Sequence, residues 1–434
     1  MLDFNPQFTR TLELFKKTGQ NVFVTGMAGT GKSTVIDYLR KTSAKNTVFL
    51  ASTGVAAVNI GGQTLHSFFR FGPDITTNAV KEIKIRRDAR KMYRELETVV
   101  IDEISMVRAD VLDCVDEFLR IHGPRAGTPF GGVRMFFVGD LHQLPPVTQR
   151  EEESIFNGGP DGVYESRYFF DSRAFKGSEF MTVHLEKVYR QKDPDFVEVL
   201  KKIRDNTAGE KELKYLNARC SAVTAHPGQE FYIYLATTNA IVNRINEQKL
   251  NELNGKCHFY LGTLTGKFKQ NNMPTGEEIH LKTGAQVMLL NNDAEKRWVN
   301  GTVGRIVKIE KCAGDDIIVV ELADGRVVDV APFTWDMYNF TYDQTSKTIK
   351  SDKVGSFRQF PLKLAWAITI HKSQGKTFEK VIIDIGGGTF DYGQMYVALS
   401  RCTSVDGIIL KTPVRPEHIK IDAKVKKFLN QYQV

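Results

Sequence analysis

The chain has 434 residues, 59 Lys and Arg against 51 Asp and Glu, a formal charge of +8, and a 41 % hydrophobic content. This excludes disordered and fibrous classes and predicts roughly two to four domains. No stretch approaches the ~18 uninterrupted apolar residues of a membrane span. No basic-then-apolar leader opens the chain, and its five cysteines never pair as Cys-x-x-Cys, so neither disulfides nor a zinc site is expected.

In chain order, residues 21–25 (Asn-Val-Phe-Val-Thr) read as a strand, followed by a Gly-rich turn and a helix over 33–41. Further short, nearly all-apolar strands are predicted at 47–50, 98–101 and 135–138, as a parallel sheet buried on both faces requires. Between them, residues 81–94 carry seven Lys/Arg and two acids. Ile85, Ala89, Met92 and Leu96 recur there at helical spacing, which predicts one amphipathic helix with a basic outer side. That side suits either a polyanion partner or plain solvation; charge alone does not decide between them. A second α/β set starts near 231–235 and resumes at 381–385, closing near Leu410. Between these pieces the pattern turns to alternation. Residues 317–320 face 327–328 across Ala323-Asp324-Gly325-Arg326, a strong hairpin signal.

Gly26-Met27-Ala28-Gly29-Thr30-Gly31-Lys32-Ser33-Thr34 fits G-x-x-x-x-G-K-[ST] between a strand and a helix. Its backbone N–H groups can cradle phosphates, Lys32 can meet the β/γ oxygens, and Ser33 can face Mg²⁺. The strand at 98–101 ends in Asp102-Glu103. Asp102 is expected to hold the metal and Glu103 to orient the attacking water. Gly139-Asp140-Leu141-His142-Gln143 repeats the form, and Gln143 is either a γ-phosphate sensor or a loop residue. The nine histidines lack metal-ligand spacing, so the nucleotide's Mg²⁺ is the one metal expected.

These segments, with Thr53-Gly54-Val55-Ala56-Ala57, Ala398-Leu399-Ser400-Arg401 and Ala367-Ile368-Thr369-Ile370-His371-Lys372-Ser373-Gln374-Gly375-Lys376-Thr377-Phe378, resemble superfamily-one helicases. Residues 106–110 and the stretch through Thr128-Pro129-Phe130-Gly131-Gly132 resemble the signature of the petite-integration-frequency (Pif) DNA helicases. RecD-type helicases share most motifs but are not expected to carry Pro-Phe-Gly-Gly. The resemblance implies two RecA-like P-loop domains with an SH3-like β-barrel inserted in the second. It also implies ATP and Mg²⁺ as cofactors, a nucleotide cleft between the domains whose closure drives 5′→3′ movement on single-stranded DNA, and unwinding at duplex junctions. Roles in repair, recombination and telomere maintenance belong to the family, as do quadruplex and RNA–DNA hybrid substrates, for which this chain shows no residue signature. By position, Gln7 matches the adenine-reading glutamine, and Arg190 and Arg401 match arginines that reach the γ-phosphate; Gly375 joins the nucleotide set. Thr53, Gly54, His66, Phe68, Thr238, Asn239, His371 and Lys372 are expected on DNA. Phe68 belongs to His66-Ser67-Phe68-Phe69-Arg70-Phe71, readable either as core or as a base-stacking platform, and residues 263–269 are a weaker DNA candidate.

The expected α/β architecture is therefore a first domain over 1–187 with a wedge-like insertion near 64–76 about the Gly72-Pro73 turn, a second over 188–261 and 359–434, and the β insertion over 262–358. Little chain precedes the first motif or follows the last, so no regulatory extension is expected. A monomer is expected, with dimerisation on DNA left open, in a bacterial-type cytoplasm near the nucleoid and away from membranes. The rivals are a RecD-like helicase, an ATP-switched single-strand binder and a scaffold retaining ATP structurally. Intact Lys32, Glu103 and Arg401 argue against the last.

Overall fold

The computed structural model describes residues 3–432 apart from 17–18, 44–45, 73, 149, 157, 159–162, 221–230, 269, 387 and 390. Pro73 of the expected wedge and Lys269 of the weaker DNA stretch thus lie outside the described residues. The chain forms two compact units. Unit 1 comprises Met1–Tyr189, Asp336–Gly355 and Asp422–Val434, and unit 2 comprises Arg190–Trp335 and Ser356–Ile421. Among the described residues no helix is long and apolar enough to cross a membrane.

Unit 1 is built on strands β1 (Asn21–Gly26), β2 (Thr47–Ala51), β3 (Gln63–Thr64), β4 (Thr98–Asp102), β5 (Arg134–Val138) and β6 (Phe180–Leu185). They form one parallel sheet in the order β3-β2-β4-β5-β1-β6. Alternate side chains serve opposite cores. Phe23, Val99, Ile101, Met135 and Phe137 pack toward the helix Ala109–His122. Val22, Val24, Val100, Phe136 and Val138 pack toward the helices Pro6–Lys16 and Lys32–Thr42. Burial on both faces is why these strands read as apolar runs rather than alternations.

Unit 2 holds β7 (Ile233–Ala236), β8 (His258–Leu261), β9 (Thr263–Gly266), β10 (Glu278–Leu281), β11 (Gln286–Leu289), β12 (Val303–Glu310), β13 (Ile317–Leu322), β14 (Val327–Val330), β17 (Leu362–Leu364), β18 (Ala367–Thr369), β19 (Val381–Asp384) and β20 (Ile408–Leu410), while most of β15 (Phe333–Asp343) and β16 (Thr348–Gln359) lies in unit 1. Its parallel sheet runs β18-β7-β19-β20, and an antiparallel sheet runs β14-β13-β12-β11-β17. The expected hairpin forms, with Glu321 opposite Val327 and Gly325 at φ +84° in the turn. Ile306, Ile318, Val320, Leu322 and Val330 fill the antiparallel core with Trp298 and Phe360.

Three expectations are corrected. Residues 81–94 are not one helix: Thr77–Lys81, capped by Thr76, and Arg87–Arg94 are separate helices. Ile83 and Ile85 in the extended link both turn to the core, which a continuous helix would not allow. Residues 336–355, assigned to the insertion, pack in unit 1: Phe340 lies edge-on to Phe68 at 5.8 Å, and the Ile349 amide donates to Asn46 Oδ1 at 2.9 Å. Residues 422–434, assigned to the second domain, also belong to unit 1, where Phe428 stacks on Phe170 with centroids 4.3 Å apart.

Candidate functional site

At the carboxyl edge of the unit 1 sheet, β1 turns through Gly26–Gly31 into the helix Lys32–Thr42. Gly31, at φ +90°, is the left-handed residue before the helix, a conformation costly for residues with a Cβ. Thr30 Oγ1 donates to the Met27 carbonyl at 2.9 Å and closes the loop. Lys32 Nζ donates to the carbonyls of Gly26 (2.7 Å) and Met27 (2.9 Å), so the ammonium lies over its own phosphate loop. Ser33 and Thr34 are exposed, while Ala28 is buried.

Two neighbouring strand ends converge on this loop. The Gly139 amide after β5 donates to the Val24 carbonyl at 3.1 Å. A Cβ on Gly139 would fall 2.9 Å from Ile104 Cγ2, so that turn sits directly against the segment following Asp102-Glu103. Asp102 Oδ1 accepts from the Glu103 amide at 2.8 Å, with Glu103 at φ +50°, an uncommon backbone for a non-glycine and frequent at functional sites. Burial, then the like charge of Glu103, pushes the Asp102 carboxyl up to about 7, eased by the Glu103 amide and by Lys32. Asp140, fully buried, fixes the last member: Gln143 Nε2 donates to its Oδ2 at 3.1 Å and the His142 amide to its Oδ1 at 3.2 Å. Lys32, Asp102, Glu103 and Gln143 are therefore gathered by three strand ends, as ligand chemistry in α/β sheets requires.

Gln7 stands on the same side, its Nε2 donating to Glu186 Oε2 at 2.9 Å. Sequence reasoning missed Tyr189. Its amide donates to the Gly29 carbonyl (2.9 Å), and its ring lies 3.9 Å from the position of a Cβ on Gly31. Its hydroxyl joins Asp3 Oδ2 (3.0 Å) and Asn5 Nδ2 (2.9 Å). The only sequence signal was an aromatic residue beside Arg190.

In unit 2, Arg190 Nη1 donates to the Ser400 carbonyl at 3.0 Å. Gln191, also missed, donates to the carbonyls of Ser400 (3.1 Å) and Cys402 (2.8 Å). Arg401 is only 1 % exposed; its guanidinium donates to the carbonyls of Val397 (2.9 Å), Ser373 and Lys376 (both 3.4 Å) and to Ser400 Oγ (2.8 Å). In this structure it ties the Ser373–Lys376 turn, which includes exposed Gly375, to the following helix.

The expected DNA residues fall at strand ends of both sheets. Thr53 Oγ1 accepts from the Ala56 amide at 3.3 Å after β2, Thr238 Oγ1 from the Ile241 amide at 3.4 Å after β7, and Thr369 Oγ1 from the Lys372 amide at 3.2 Å after β18. Ala236 pairs with Thr369, so Thr238 and Asn239 share one edge with His371 and Lys372. Thr53, Thr238, Asn239 and Lys372 are exposed; Gly54, His66 and His371 are half-buried. Burial lowers the affinity of both imidazoles for a proton; Arg108 adds to this at His66, while Asp110 opposes it there and Asp391 opposes it at His371. Phe68 is a correction. At 3 % exposure, packed on Phe69, Tyr93 and Phe340, it is core and offers no face to a base. Phe69, Phe71 and Ile75 of the expected wedge are buried with it.

The Pro129–Gly132 turn has a structural task. The Phe130 amide donates to Asp116 Oδ1 at 2.5 Å, and a Cβ on Gly131, at φ +61°, would lie 2.1 Å from the Leu119 carbonyl oxygen. Only glycine lets this turn seal the end of the helix Ala109–His122. A family model described as PIF1-like helicase matches residues 9–212. The ATP-dependent DNA helicase Pif1 of Bdellovibrio bacteriovorus is 34 % identical, covering 100 % of this chain and 93 % of that protein. The chain belongs to the Pif1-like helicase family. It is accordingly an ATP-hydrolysing DNA helicase. A crystal structure of Bacteroides sp Pif1 in complex with ADP-AlF4 is 36 % identical with a TM-score of 0.89, covering 100 % of this chain and 98 % of that one. Another, of Bacteroides Pif1 with ADP-AlF3 and ssDNA, has the same identity and coverage and a TM-score of 0.71.

Proposed function

We propose that this Pif1-family helicase moves 5′→3′ along single-stranded DNA and separates duplex strands where they meet a single strand, using Mg²⁺-bound ATP. The observation that carries the reading is the convergence of Lys32, Asp102, Glu103 and Gln143 at one strand edge of unit 1, in a chain whose unit 2 presents Thr238, Asn239, His371 and Lys372 at a strand edge of its own. The related Bacteroides protein crystallised with ADP-AlF3 and ssDNA supports both ligands.

The residues fit a nucleotide-bound Mg²⁺. Asp102 is a carboxylate whose charge is penalised by burial and by Glu103, a penalty a divalent cation relieves, and Ser33 offers an exposed hydroxyl at the helix start. When bound, the ion supplies Lewis-acid polarisation of the phosphate oxygens. Lys32 leaves its loop carbonyls to neutralise the β/γ oxygens, Glu103 orients the water and accepts its proton, and Gln143, held by Asp140, bonds the γ-phosphate. Gln7 and Tyr189 receive the base. Arg190 and Arg401 stabilise charge on the transferring group, within one chain. Arg401 must first exchange its carbonyl partners for phosphate oxygens. The two parallel sheets are read as RecA-like cores and the antiparallel strands of unit 2 as the SH3-like insertion, in a monomer of a bacterial-type cytoplasm.

The test is strand displacement with ATP and Mg²⁺ on duplexes bearing a 5′ or a 3′ single-stranded tail. Separation of the 5′-tailed duplex alone is expected. Separation of the 3′-tailed duplex alone reverses the polarity, and hydrolysis with neither separated favours the ATP-switched strand binder.

A further inference from the structure

The glutamine expected to read the base has a partner that fixes which way round its amide lies. Gln7 is the second residue of the helix Pro6–Lys16, and its Nε2 donates to Glu186 Oε2 at 2.9 Å. Glu186 follows Leu185, the last residue of β6, which pairs with Gly26 at the start of the phosphate loop. That approach is close: a Cβ on Gly26 would fall 2.5 Å from the Leu185 carbonyl oxygen. Tyr189 returns to the same loop through the bond from its amide to the Gly29 carbonyl. Its hydroxyl meets Asn5 Nδ2, and Asn5 Oδ1 accepts from the Phe8 amide at 2.8 Å, which ties the start of the helix to this rim.

Glu186 is exposed, yet it serves no ion pair among the described residues. The neighbouring Lys187 is taken by Asp3 Oδ2 at 2.7 Å. Gln7 is the one side-chain partner of Glu186 among the described residues. An ionised carboxylate only accepts, so the amide nitrogen of Gln7 must face it and Oε1 must face away. That nitrogen carries two hydrogens. One goes to Glu186, and the other stands beside Oε1 as an adjacent donor and acceptor.

Adenine offers the complement, an acceptor at N7 next to a donor at its 6-amino group, whereas guanine offers acceptors at both N7 and O6. An unrestrained glutamine suits either base, because turning its amide over exchanges the two atoms. Beside Glu186 the amide turns over only by setting Oε1 against the carboxylate, two acceptors with no proton between them. Guanine O6 then meets Oε1 and goes unpaired, a mismatch that a hydrogen-bonding site rejects strongly. We propose that Glu186 is a positioning residue that fixes the amide of Gln7 and so makes the nucleotide site select a 6-amino purine over a 6-oxo purine. This rests on the reading above that Gln7 receives the base, and it adds the residue that decides which base.

The experiment is steady-state hydrolysis of ATP and of GTP, with Mg²⁺ and a saturating oligothymidylate, by wild type, Glu186→Gln, Glu186→Lys and Gln7→Ala, each checked by a thermal melt. Wild type is expected to favour ATP by about tenfold or more in kcat/KM. Glu186→Gln offers either atom to Gln7 and lets it turn, so the ratio is expected to fall about fivefold, in KM rather than kcat. Glu186→Lys only donates, which draws Oε1 and turns the amide hydrogens toward the base. Its ratio is expected to fall further, with a KM for GTP below the wild-type value. A residue that merely braces the fold changes both nucleotides alike. An unchanged ratio in either Glu186 variant, while Gln7→Ala loses it, overturns the proposal alone. A wild type indifferent to the base, or a wild-type ratio in Gln7→Ala, overturns the base-reading role of Gln7 as well. If the Lys variant does not fold, Glu186→Gln decides by the same ratio.

Discussion

The two parallel sheets end their strands alike and load those ends differently. In unit 1 and unit 2 a threonine leaves a strand and caps the next helix, at Thr53, Thr238 and Thr369. Each sheet also ends a strand in aspartate. Asp384 of unit 2 has compensation: its Oδ2 lies 3.3 Å from Lys411 Nζ, and its Oδ1 accepts from the Gly386 amide at 3.0 Å. Asp102 of unit 1 lies instead beside another acid, with its carboxyl driven up to about 7. The same topology therefore yields a settled acid in one sheet and a cation-seeking one in the other. What separates the two strand ends is the charge set beside each: a lysine at Asp384, a second carboxylate at Asp102.

That contrast can be broken at graded cost. Lys32→Ala removes a cation that bonds the phosphate loop and acts on Asp102. ATP turnover is expected to fall by about 10³ or more while single-strand affinity without nucleotide persists, read by phosphate release and anisotropy. Glu103→Gln keeps size but not the proton acceptor; a fall of roughly 10² is expected with nucleotide binding retained, and a fall under tenfold assigns the water to another residue. Asp140→Asn loosens Gln143 without touching phosphate. About a tenfold loss of turnover at unchanged ATP affinity is expected, and an unchanged rate removes Gln143 from the machinery. Phe68→Leu is the smallest. It is expected to cost about 1–2 kcal/mol of packing, read as a lowered melting temperature, with strand affinity unchanged; a selective loss of strand affinity would restore Phe68 as a base platform.

The parallel strands and the turn that carries Lys32 were legible because their constraints are local. Burial on both faces forces apolar runs, and the left-handed residue that opens the helix Lys32–Thr42 calls for glycine at position 31. Long-range packing left weaker marks. Nothing near Phe340 or Phe428 in the sequence announces Phe68 or Phe170 as its partner, so 336–355 and 422–434 were assigned by neighbourhood rather than by contact. Residues 81–94 misled because Ile85 satisfies both helical spacing and an extended link beside Ile83. Arg401 shows the limit for an expected site residue. Its motif position is plain, yet its guanidinium is spent on four groups of its own unit, a state no spacing encodes.

The central claim is that chemistry at the unit 1 edge answers to a strand held at the unit 2 edge. The most direct measurement is steady-state ATP turnover against the concentration of a short single strand, for wild type and for His371→Ala/Lys372→Ala. The account predicts strong stimulation of wild type, with the variant's curve displaced to about tenfold higher strand concentration and its strand-free rate retained. Turnover indifferent to the strand in wild type, or an undisplaced curve in the variant, would contradict it.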